Sequence, residues 1–171
     1  MTPVFGVTGW KNAGKTTLTE RLVAEFSARG LRVATVKHAH HGFEIDREGA
    51  DSFRHRAAGA AQVLVASAAR WALITELGDG AEPPLADLLA RLDPADLVLV
   101  EGYKRERHPK IEAHRAAAAT RPLIAETDLT IRAVASDAPE HVAAALGGRP
   151  TLPLDAIPAI ADFVLVETGL A

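Results

Sequence analysis

Short apolar runs alternate with helical patterns along the first part of the chain. Val4–Thr8 is an apolar run of the length expected for a buried strand. Apolar residues then recur every four positions, at Leu18, Leu22 and Phe26. This period places them on one face of a helix that we predict over residues 17–29. A second strand is predicted over residues 31–36, and it must run parallel to the first because a helix separates the two.

The same patterns continue to the end of the chain. Further helices are predicted over residues 49–61, 85–92, 139–146 and 156–168, and further strands over 62–66, 70–75, 96–100, 111–114, 131–135 and 151–154. The turn Ser67-Ala68-Ala69 makes two of these strands a hairpin or adjacent strands, and Asp155 is the predicted N-cap of the last helix. Together the elements predict an α/β fold, a mostly parallel sheet flanked by helices, in a single domain over residues 1–171.

Between the first strand and the first helix lies a sequence that fits G-x-x-x-x-G-K-[ST] without a mismatch. Its residues are Gly9, Trp10, Lys11, Asn12, Ala13, Gly14, Lys15 and Thr16, followed by Thr17. The glycines of such a loop let successive N–H groups point at a phosphate, and the helix that follows adds its positive end. Lys15 is then expected to reach the β- and γ-phosphates, and the Thr16 hydroxyl to bind Mg²⁺. A glycine turn without a ligand would not require Lys-Thr at this place, so we predict a nucleoside triphosphate site.

Two acidic residues follow apolar strands, at the edge of a parallel sheet where ligands bind. Glu101 ends the strand over 96–100 and is predicted to bind Mg²⁺ or its water, the alternative being an acid that merely ends a strand. Asp137 follows the strand over 131–135 and is a candidate acceptor for the N–H groups of guanine. The alternative for Asp137 is a cap for the helix that follows it.

Histidines and further polar residues follow the second strand. His38, His40 and His41 are candidate contacts for a phosphate or pterin anion. A metal site is the less favoured alternative, because neighbouring residues of a strand point apart. Further on, Arg54 is a candidate for contact with an anionic ligand. It shares a polar helix face with Asp51, so a solvated face is an equally good interpretation.

Composition narrows the class of protein. The 171 residues carry a net charge of −3 and no cysteine, and no apolar run approaches the roughly 20 residues that span a bilayer. These properties exclude a disulfide framework and indicate neither nucleic-acid binding nor a membrane protein. The N-terminus lacks the pattern of a signal peptide, so we expect a cytoplasmic protein. The strongly basic stretch at 104–110 is either a solvated loop or a contact for an anionic ligand or partner.

Several of these segments together resemble the MobB family of molybdopterin-guanine dinucleotide biosynthesis adapter proteins. The resemblance is carried by Gly-Trp-Lys-Asn-Ala-Gly-Lys-Thr-Thr at 9–17, Lys37-His38 with the histidine run and Asp46, Asp51-Ser52 with Arg54-His55, Val100-Glu101-Gly102-Tyr103-Lys104, and Pro109-Lys110-Ile111-Glu112. It implies a three-layer fold of the P-loop NTPase type that binds GTP. It also implies that Thr16 and Glu101 surround Mg²⁺, with Asp46 as a switch-like acid on the metal side.

The resemblance further implies a homodimer with at most slow GTPase activity. Such a protein would assist the nucleotidyltransferase that attaches GMP to molybdopterin; a molybdenum insertion protein is a further candidate partner and molybdopterin a candidate ligand. Trp10 stands where dimeric signature-lysine ATPases carry a second lysine, so no lysine is expected to act across the dimer. Neither a water-positioning glutamine nor an arginine finger is evident, which favours binding over fast turnover. A small-molecule kinase and a metal-insertion GTPase are the alternative functions.

Overall fold

The chain forms two compact units. The computed structural model describes residues 2–39, 42–118 and 121–171. The first unit contains the residues up to 38 together with 88–171, and the second contains residues 39–87. The single domain predicted over residues 1–171 stays a prediction.

Strands and helices alternate through most of the chain. The strands are β1 (Val4–Thr8), β2 (Val33–Lys37), β3 (Gln62–Ala66), β4 (Trp71–Thr75), β5 (Leu97–Glu101), β6 (Lys110–His114), β7 (Ile131–Ser136) and β8 (Thr151–Pro153). The helices are α1 (Lys15–Ala28), α2 (Asp51–Ala57), α3 (Leu85–Leu89), α4 (Pro139–Ala143) and α5 (Ile157–Thr168). Every strand and helix predicted from the apolar pattern is present, with ends that differ by a few residues. None of the helices in the described parts of the chain combines the length and apolar character needed to cross a bilayer.

A six-stranded sheet forms the centre of the first unit. Its strand order is β2-β5-β1-β6-β7-β8, and every neighbouring pair is parallel. The interior strand β5 is buried at all five positions, as expected for a parallel strand covered on both faces. The predicted mostly parallel sheet is confirmed.

Helices cover both faces of this sheet. α1 and α5 pack against each other and against β1. The residues predicted to share the apolar face of α1 are all buried: Leu18, Leu22 and Phe26. On β7, Ala133 and Ala135 belong to the same apolar cluster, whereas Val134 packs in a second cluster with Val142 of α4. Since successive residues of a strand point to opposite faces, the two clusters lie on opposite sides of the sheet, which confirms the three-layer arrangement.

The carboxyl ends of β5, β1 and β6 meet in the middle of the sheet. Val7 of β1 lies beside Glu101 of β5, and Thr8 lies beside Glu112 of β6. The loop that starts at Gly9 therefore emerges between the ends of two neighbouring strands. This is the edge at which open parallel sheets bind their ligands.

The second unit contains the antiparallel pair β3–β4 and the helix α2. The predicted hairpin is confirmed, and its turn is closed by a hydrogen bond of 3.2 Å from the Arg70 N–H to the Ser67 hydroxyl. α2 is shorter than the helix predicted over 49–61, because the backbone leaves the helical region on both sides of it. Gly49 has a φ of 86° and Ala50 is extended, and Gly59 beyond the other end has a φ of 102°.

The prediction that Asp155 is the N-cap of α5 is wrong. Ala156 occupies the N-cap position, and no side chain caps the helix there. A cap at Asp155 would need a free N–H two or three residues on. Pro158 has no N–H, and the Ile157 N–H already donates to the backbone oxygen of Asp155 at 2.9 Å. The carboxylate instead accepts a hydrogen bond of 2.6 Å from Arg21 on α1.

The basic stretch at 104–110 is not one solvated loop. Lys110 is 0% exposed, and its Nζ donates to backbone oxygens of the stretch itself and to the Thr130 hydroxyl. The His108 ring lies against Gly6 of β1, where a Cβ would come within 2.5 Å of the imidazole Nε2. Among the described residues this nitrogen has no hydrogen-bond partner. The carboxyl-terminal end of the stretch is therefore part of the core.

Burial of His108 makes the stability of the fold depend on pH. Burial, aided by the charge of Lys110, lowers the pKa of His108 from its ordinary 6.5 to about 4. The folded state favours the neutral imidazole. The contribution of His108 to stability is therefore complete above its ordinary pKa and is lost as the pH falls towards the pKa of the folded state. We expect the free energy of unfolding to fall by about 1 kcal/mol through this group between roughly pH 7.5 and pH 5, after discounting for solvent screening.

Urea denaturation across this pH range measures the loss. His108→Gln is the control, because it has no group to titrate at that position. A pH dependence of the same size in the variant would contradict the assignment to His108.

Candidate functional site

The loop after β1 is curled by residues with positive φ. Gly9 has a φ of 139°, Asn12 of 63° and Gly14 of 96°. Glycine adopts such angles without strain, and asparagine tolerates them better than most residues. A Cβ at Gly9 would lie 2.4 Å from the backbone oxygen of Ala113 in β6, so a side chain is excluded there by contact as well. The loop has the curled form that the glycine pattern predicts.

Helix α1 begins directly after this curl. Its N-cap is Gly14, no side chain caps the first turn, and no acidic residue lies in that turn. The first N–H groups of a helix have no partner within the helix, and the helix dipole places partial positive charge on them. The beginning of α1 is thus open to an anion that lies within the loop.

Lys15 folds back over the loop. Its Nζ donates a hydrogen bond of 2.7 Å to the backbone oxygen of Trp10, at the other end of the curl. Burial lowers the pKa of Lys15, and the charges of Lys104 and Lys37 lower it further against the opposing effect of Glu101. The ammonium group is therefore held over the loop among other cations, where an anionic ligand would offset the repulsion.

The two residues predicted on the metal side lie together. The Thr16 hydroxyl donates a hydrogen bond of 2.8 Å to the Glu101 carboxylate, although 85 positions separate them in the chain. The Glu101 side chain is only 10% exposed, and Lys37 Nζ lies 3.4 Å from the same carboxylate oxygen. A hydroxyl and a carboxylate oxygen are the ligand types of Mg²⁺ bound with a nucleotide, so these residues fit that ion.

His38 lies next to this pair. Its N–H donates to the backbone oxygen of Glu101 at 3.0 Å, and its ring lies 5.0 Å from that of Tyr103 between centroids. Gly102 has a φ of 95°, and a Cβ there would come within 3.1 Å of the His38 Cβ. His40 and His41 lie outside the described residues, so a joint role for the three histidines stays a prediction. In the described parts of the chain no three His, Cys, Asp or Glu side chains are arranged to hold a metal ion.

In the second unit, the Asp46 carboxylate forms a hydrogen-bonded ion pair with Arg56. Arg56 donates to it at 2.6 Å, and the same guanidinium also reaches Glu44 and Glu76. Hydrogen bonding to Arg56 lowers the pKa of Asp46. The role of Asp46 on the metal side stays a prediction, and the structure adds that Arg56 organises the acids of this unit.

Arg54, the arginine predicted to contact an anion, differs from Arg56. Its side chain is 73% exposed and lies 3.7 Å from Asp51, whose side chain is 89% exposed. Both lie in the second unit. This geometry matches a solvated helix face, and contact of Arg54 with an anionic ligand stays a prediction.

Asp137 follows β7 and is exposed. Its Oδ1 accepts a hydrogen bond of 2.9 Å from the Ala116 N–H, in the loop after β6. The alternative role as a helix cap is wrong, because Ala138 is the N-cap of α4 and no side chain caps that helix. One carboxylate oxygen thus binds the loop after β6, and the contact of Asp137 with guanine stays a prediction.

Two cationic residues beside the loop, Arg115 and Arg121, were not found by the sequence analysis, and a third, Lys104, was named there only as part of the basic stretch at 104–110. A Cβ at Gly14 would lie 2.9 Å from Nε of Arg115, so this guanidinium rests on the loop. Lys104 Nζ and Arg121 Cζ lie 4.3 and 4.7 Å from the ring centroid of Trp10. The position of Arg115 just past β6, at the ligand-binding edge, was the one signal that pointed to it. Nothing in the sequence pattern pairs Arg121 with Trp10.

Comparison with known proteins gives consistent matches. A model of the family described as molybdopterin guanine dinucleotide synthesis protein B matches residues 4–137. The chain is 43% identical to the molybdopterin-guanine dinucleotide biosynthesis adapter protein of Haemophilus influenzae, over 95% of this chain and 87% of the relative. It is 42% identical to the adapter protein of Escherichia coli, over 96% of this chain and 93% of the relative. The crystal structure of Bacillus subtilis MobB superposes with a TM-score of 0.75 at 30% identity, over 97% of this chain and 98% of that one.

These matches extend far beyond the glycine loop. The family model includes β1, the acid at the end of β5 and Asp137, and the bacterial relatives align with nearly the whole chain. A glycine loop is shared by many proteins of different function, so the length of the match is what distinguishes the family. The resemblance noted in the sequence is confirmed, and the chain belongs to the MobB family of molybdopterin-guanine dinucleotide biosynthesis adapter proteins.

Proposed function

We propose that this protein is a GTP-binding adapter that assists the attachment of GMP to molybdopterin. The observation that carries the proposal is the hydrogen bond of 2.8 Å between Thr16 and Glu101, beside a loop that Lys15 spans. It joins a hydroxyl at the start of α1 to an acid at the end of β5. Such a pair is what a nucleotide-bound Mg²⁺ requires opposite the phosphates.

Different groups of the loop would bind different parts of the nucleotide. Backbone N–H groups of the curl and of the start of α1 would hold the phosphate oxygens. Lys15 would exchange its hydrogen bond to the Trp10 backbone oxygen for one to a phosphate. Thr16 and Glu101 would hold Mg²⁺, which supplies positive charge to the β- and γ-phosphates. Lys37, whose Nζ lies 3.4 Å from the Glu101 carboxylate, helps to hold that side chain in place.

Turnover of GTP is expected to be slow. No water-positioning glutamine is evident in the sequence. Arg115 rests against Gly14 and follows β6, so it is a cation supplied by the same chain. Where an arginine of the same chain acts together with a water-positioning glutamine, turnover is about 10⁻² s⁻¹, so a site without that glutamine should be no faster. Release of phosphate from GTP at about that rate or slower fits the proposal, and rapid transfer of phosphate to a small molecule would favour a kinase.

Removal of either metal-side group should weaken GTP binding only when Mg²⁺ is present. We expect Thr16→Ala and Glu101→Gln each to raise the dissociation constant of GTP about tenfold in Mg²⁺, because each removes a contact of about 1.5 kcal/mol with a charged group. Isothermal titration in Mg²⁺ and in EDTA measures the difference. Glu20→Gln, an exposed acid on α1, is the matched control. Equal weakening in EDTA would show that the two residues do not act through the metal.

The proposed partner is the nucleotidyltransferase that attaches GMP to molybdopterin, and the proposed assembly is a homodimer. The adapter proteins of Haemophilus influenzae and Escherichia coli carry this pathway in their names, which supports the first part. We expect the purified transferase to be retained by the immobilised protein more strongly with GTP than without nucleotide. If the amount of retained transferase were the same with and without GTP, or if none were retained, the protein would not be a nucleotide-dependent adapter. Sedimentation equilibrium tests the homodimer separately, with a monomer as the contradicting result.

A further inference from the structure

Trp10, which follows the first glycine of the loop, lies against two cationic side chains. Trp10 is fixed by a hydrogen bond of 2.8 Å from its Nε1 to the backbone oxygen of Pro122. Lys104 Nζ lies 4.3 Å from the centroid of the indole ring, and Arg121 Cζ lies 4.7 Å from it. Distances below about 6 Å allow a cation–π contact. A single tryptophan thus gathers a lysine from the loop after β5 and an arginine from the segment after β6.

The two cations have no ion-pair partner in the described parts of the chain. Within the described parts of the chain, neither Lys104 nor Arg121 has a carboxylate oxygen within 4.0 Å. Burial lowers the pKa of Lys104, and the like charge of Arg121 lowers it further against the opposing effect of Glu112. The pKa of Lys15 in the glycine loop is lowered by burial and then by the charge of Lys104, against the opposing effect of Glu101. Lys104, Arg121 and Lys15 therefore concentrate positive charge beside the loop.

We propose that Trp10, Lys104 and Arg121 form a second anion subsite, which binds the phosphate monoester of a second ligand beside the nucleotide. This rests on the proposed function, because it takes Gly14, Lys15 and Thr16 as the triphosphate contacts. The backbone oxygen of Trp10 contacts Lys15, whereas its ring contacts Lys104 and Arg121. A phosphate monoester carries close to two charges near neutral pH and so offsets both cations, whereas a carboxylate offsets one. The planar guanidinium also suits two phosphate oxygens at once.

The fluorescence of Trp10 can report binding at the subsite. The chain has two tryptophans, and Trp71 lies in the second unit with 63% of its surface exposed. Trp71→Phe leaves Trp10 as the sole tryptophan. Lys15→Ala in that background removes the lysine contact of the glycine loop, so that the loop itself contributes less to phosphate binding. Methyl phosphate is the probe, and acetate at the same ionic strength is the comparison.

We expect methyl phosphate to change the Trp10 fluorescence saturably in the Trp71→Phe protein and in the Trp71→Phe/Lys15→Ala protein, and acetate to do so much less. Addition of Lys104→Ala or Arg121→Ala should raise the apparent dissociation constant about tenfold, the loss of one charged contact. Arg105→Ala is the matched control, because Arg105 is exposed in the same loop and has no contact with the ring.

Two results would overturn the subsite. One is a methyl phosphate response that is absent, unsaturable or unchanged by Lys104→Ala and Arg121→Ala. The other is a loss of GTP affinity, with GDP affinity intact, in those two variants, which would assign the cations to the γ-phosphate of the nucleotide. Titration calorimetry with GDP and GTP reads the nucleotide site independently. A failure of the proposed function would thus appear as missing nucleotide binding while the response of Trp10 to methyl phosphate persists.

Discussion

Lys15→Ala is expected to weaken GTP binding roughly 10- to 100-fold while the fold remains intact. Lys15 is the one loop side chain whose cation already lies across the curl, 2.7 Å from the Trp10 backbone oxygen. Alanine removes a charge-assisted contact to the phosphates, which is worth about 1.5–3 kcal/mol. Equilibrium titration with GTP in the presence of Mg²⁺ measures the loss.

The loss should be specific to the loop. Arg32→Ala removes one positive charge from an exposed side chain just before β2, at the opposite edge of the sheet. It should leave the GTP affinity within about twofold, since charges beyond a Debye length are largely screened. If both variants weakened GTP binding equally, the effect would be one of net charge, and the loop would lose its assigned role.

Gly9→Ala is expected to destabilise the fold by about 2–6 kcal/mol. The φ of 139° is unfavourable for a residue with a side chain, and strain of this kind costs about 1–3 kcal/mol. The added Cβ would also lie 2.4 Å from the Ala113 backbone oxygen, and relief of such overpacking costs a further 1–3 kcal/mol or so. Urea denaturation followed by circular dichroism gives the change in the free energy of unfolding.

Gly30→Ala separates backbone strain from steric contact. Gly30 also has a positive φ, 86°, but a Cβ there would meet nothing within 4 Å. We expect a loss of about 1 kcal/mol for this variant, from the backbone alone. Similar losses for the two glycines would refute the close approach of the loop to β6.

The sequence was sufficient for the fold and for the proximity of Thr16 and Glu101, because both follow from local patterns and one topological rule. Apolar residues at Leu18, Leu22 and Phe26 predicted a buried helix face, and all three are buried. Thr16 and Glu101 were placed together although they are far apart in sequence, because carboxyl ends of parallel strands share an edge. The glycine pattern predicted the curled form of the loop after β1.

What the sequence did not predict depends on side chains that meet across unrelated segments. No period or motif relates Arg121 to Trp10, and the contact depends on how the segment after β6 returns to the loop. Asp155 looked like a cap, yet Pro158 removed the N–H that a cap would use and Arg21 supplied an ion pair. Similarly, Arg56 rather than Arg54 gathers the carboxylates of the second unit.

The most direct test of the central claim is a calorimetric titration of the wild-type protein with GTP in Mg²⁺, repeated in EDTA and with ATP. A nucleotide site built on Lys15, Thr16 and Glu101 predicts saturable binding of one GTP per chain that weakens when Mg²⁺ is removed. ATP should bind more weakly if the free oxygen of Asp137 meets the guanine base. Absence of GTP binding at millimolar concentration, with the protein folded by circular dichroism, would contradict the account.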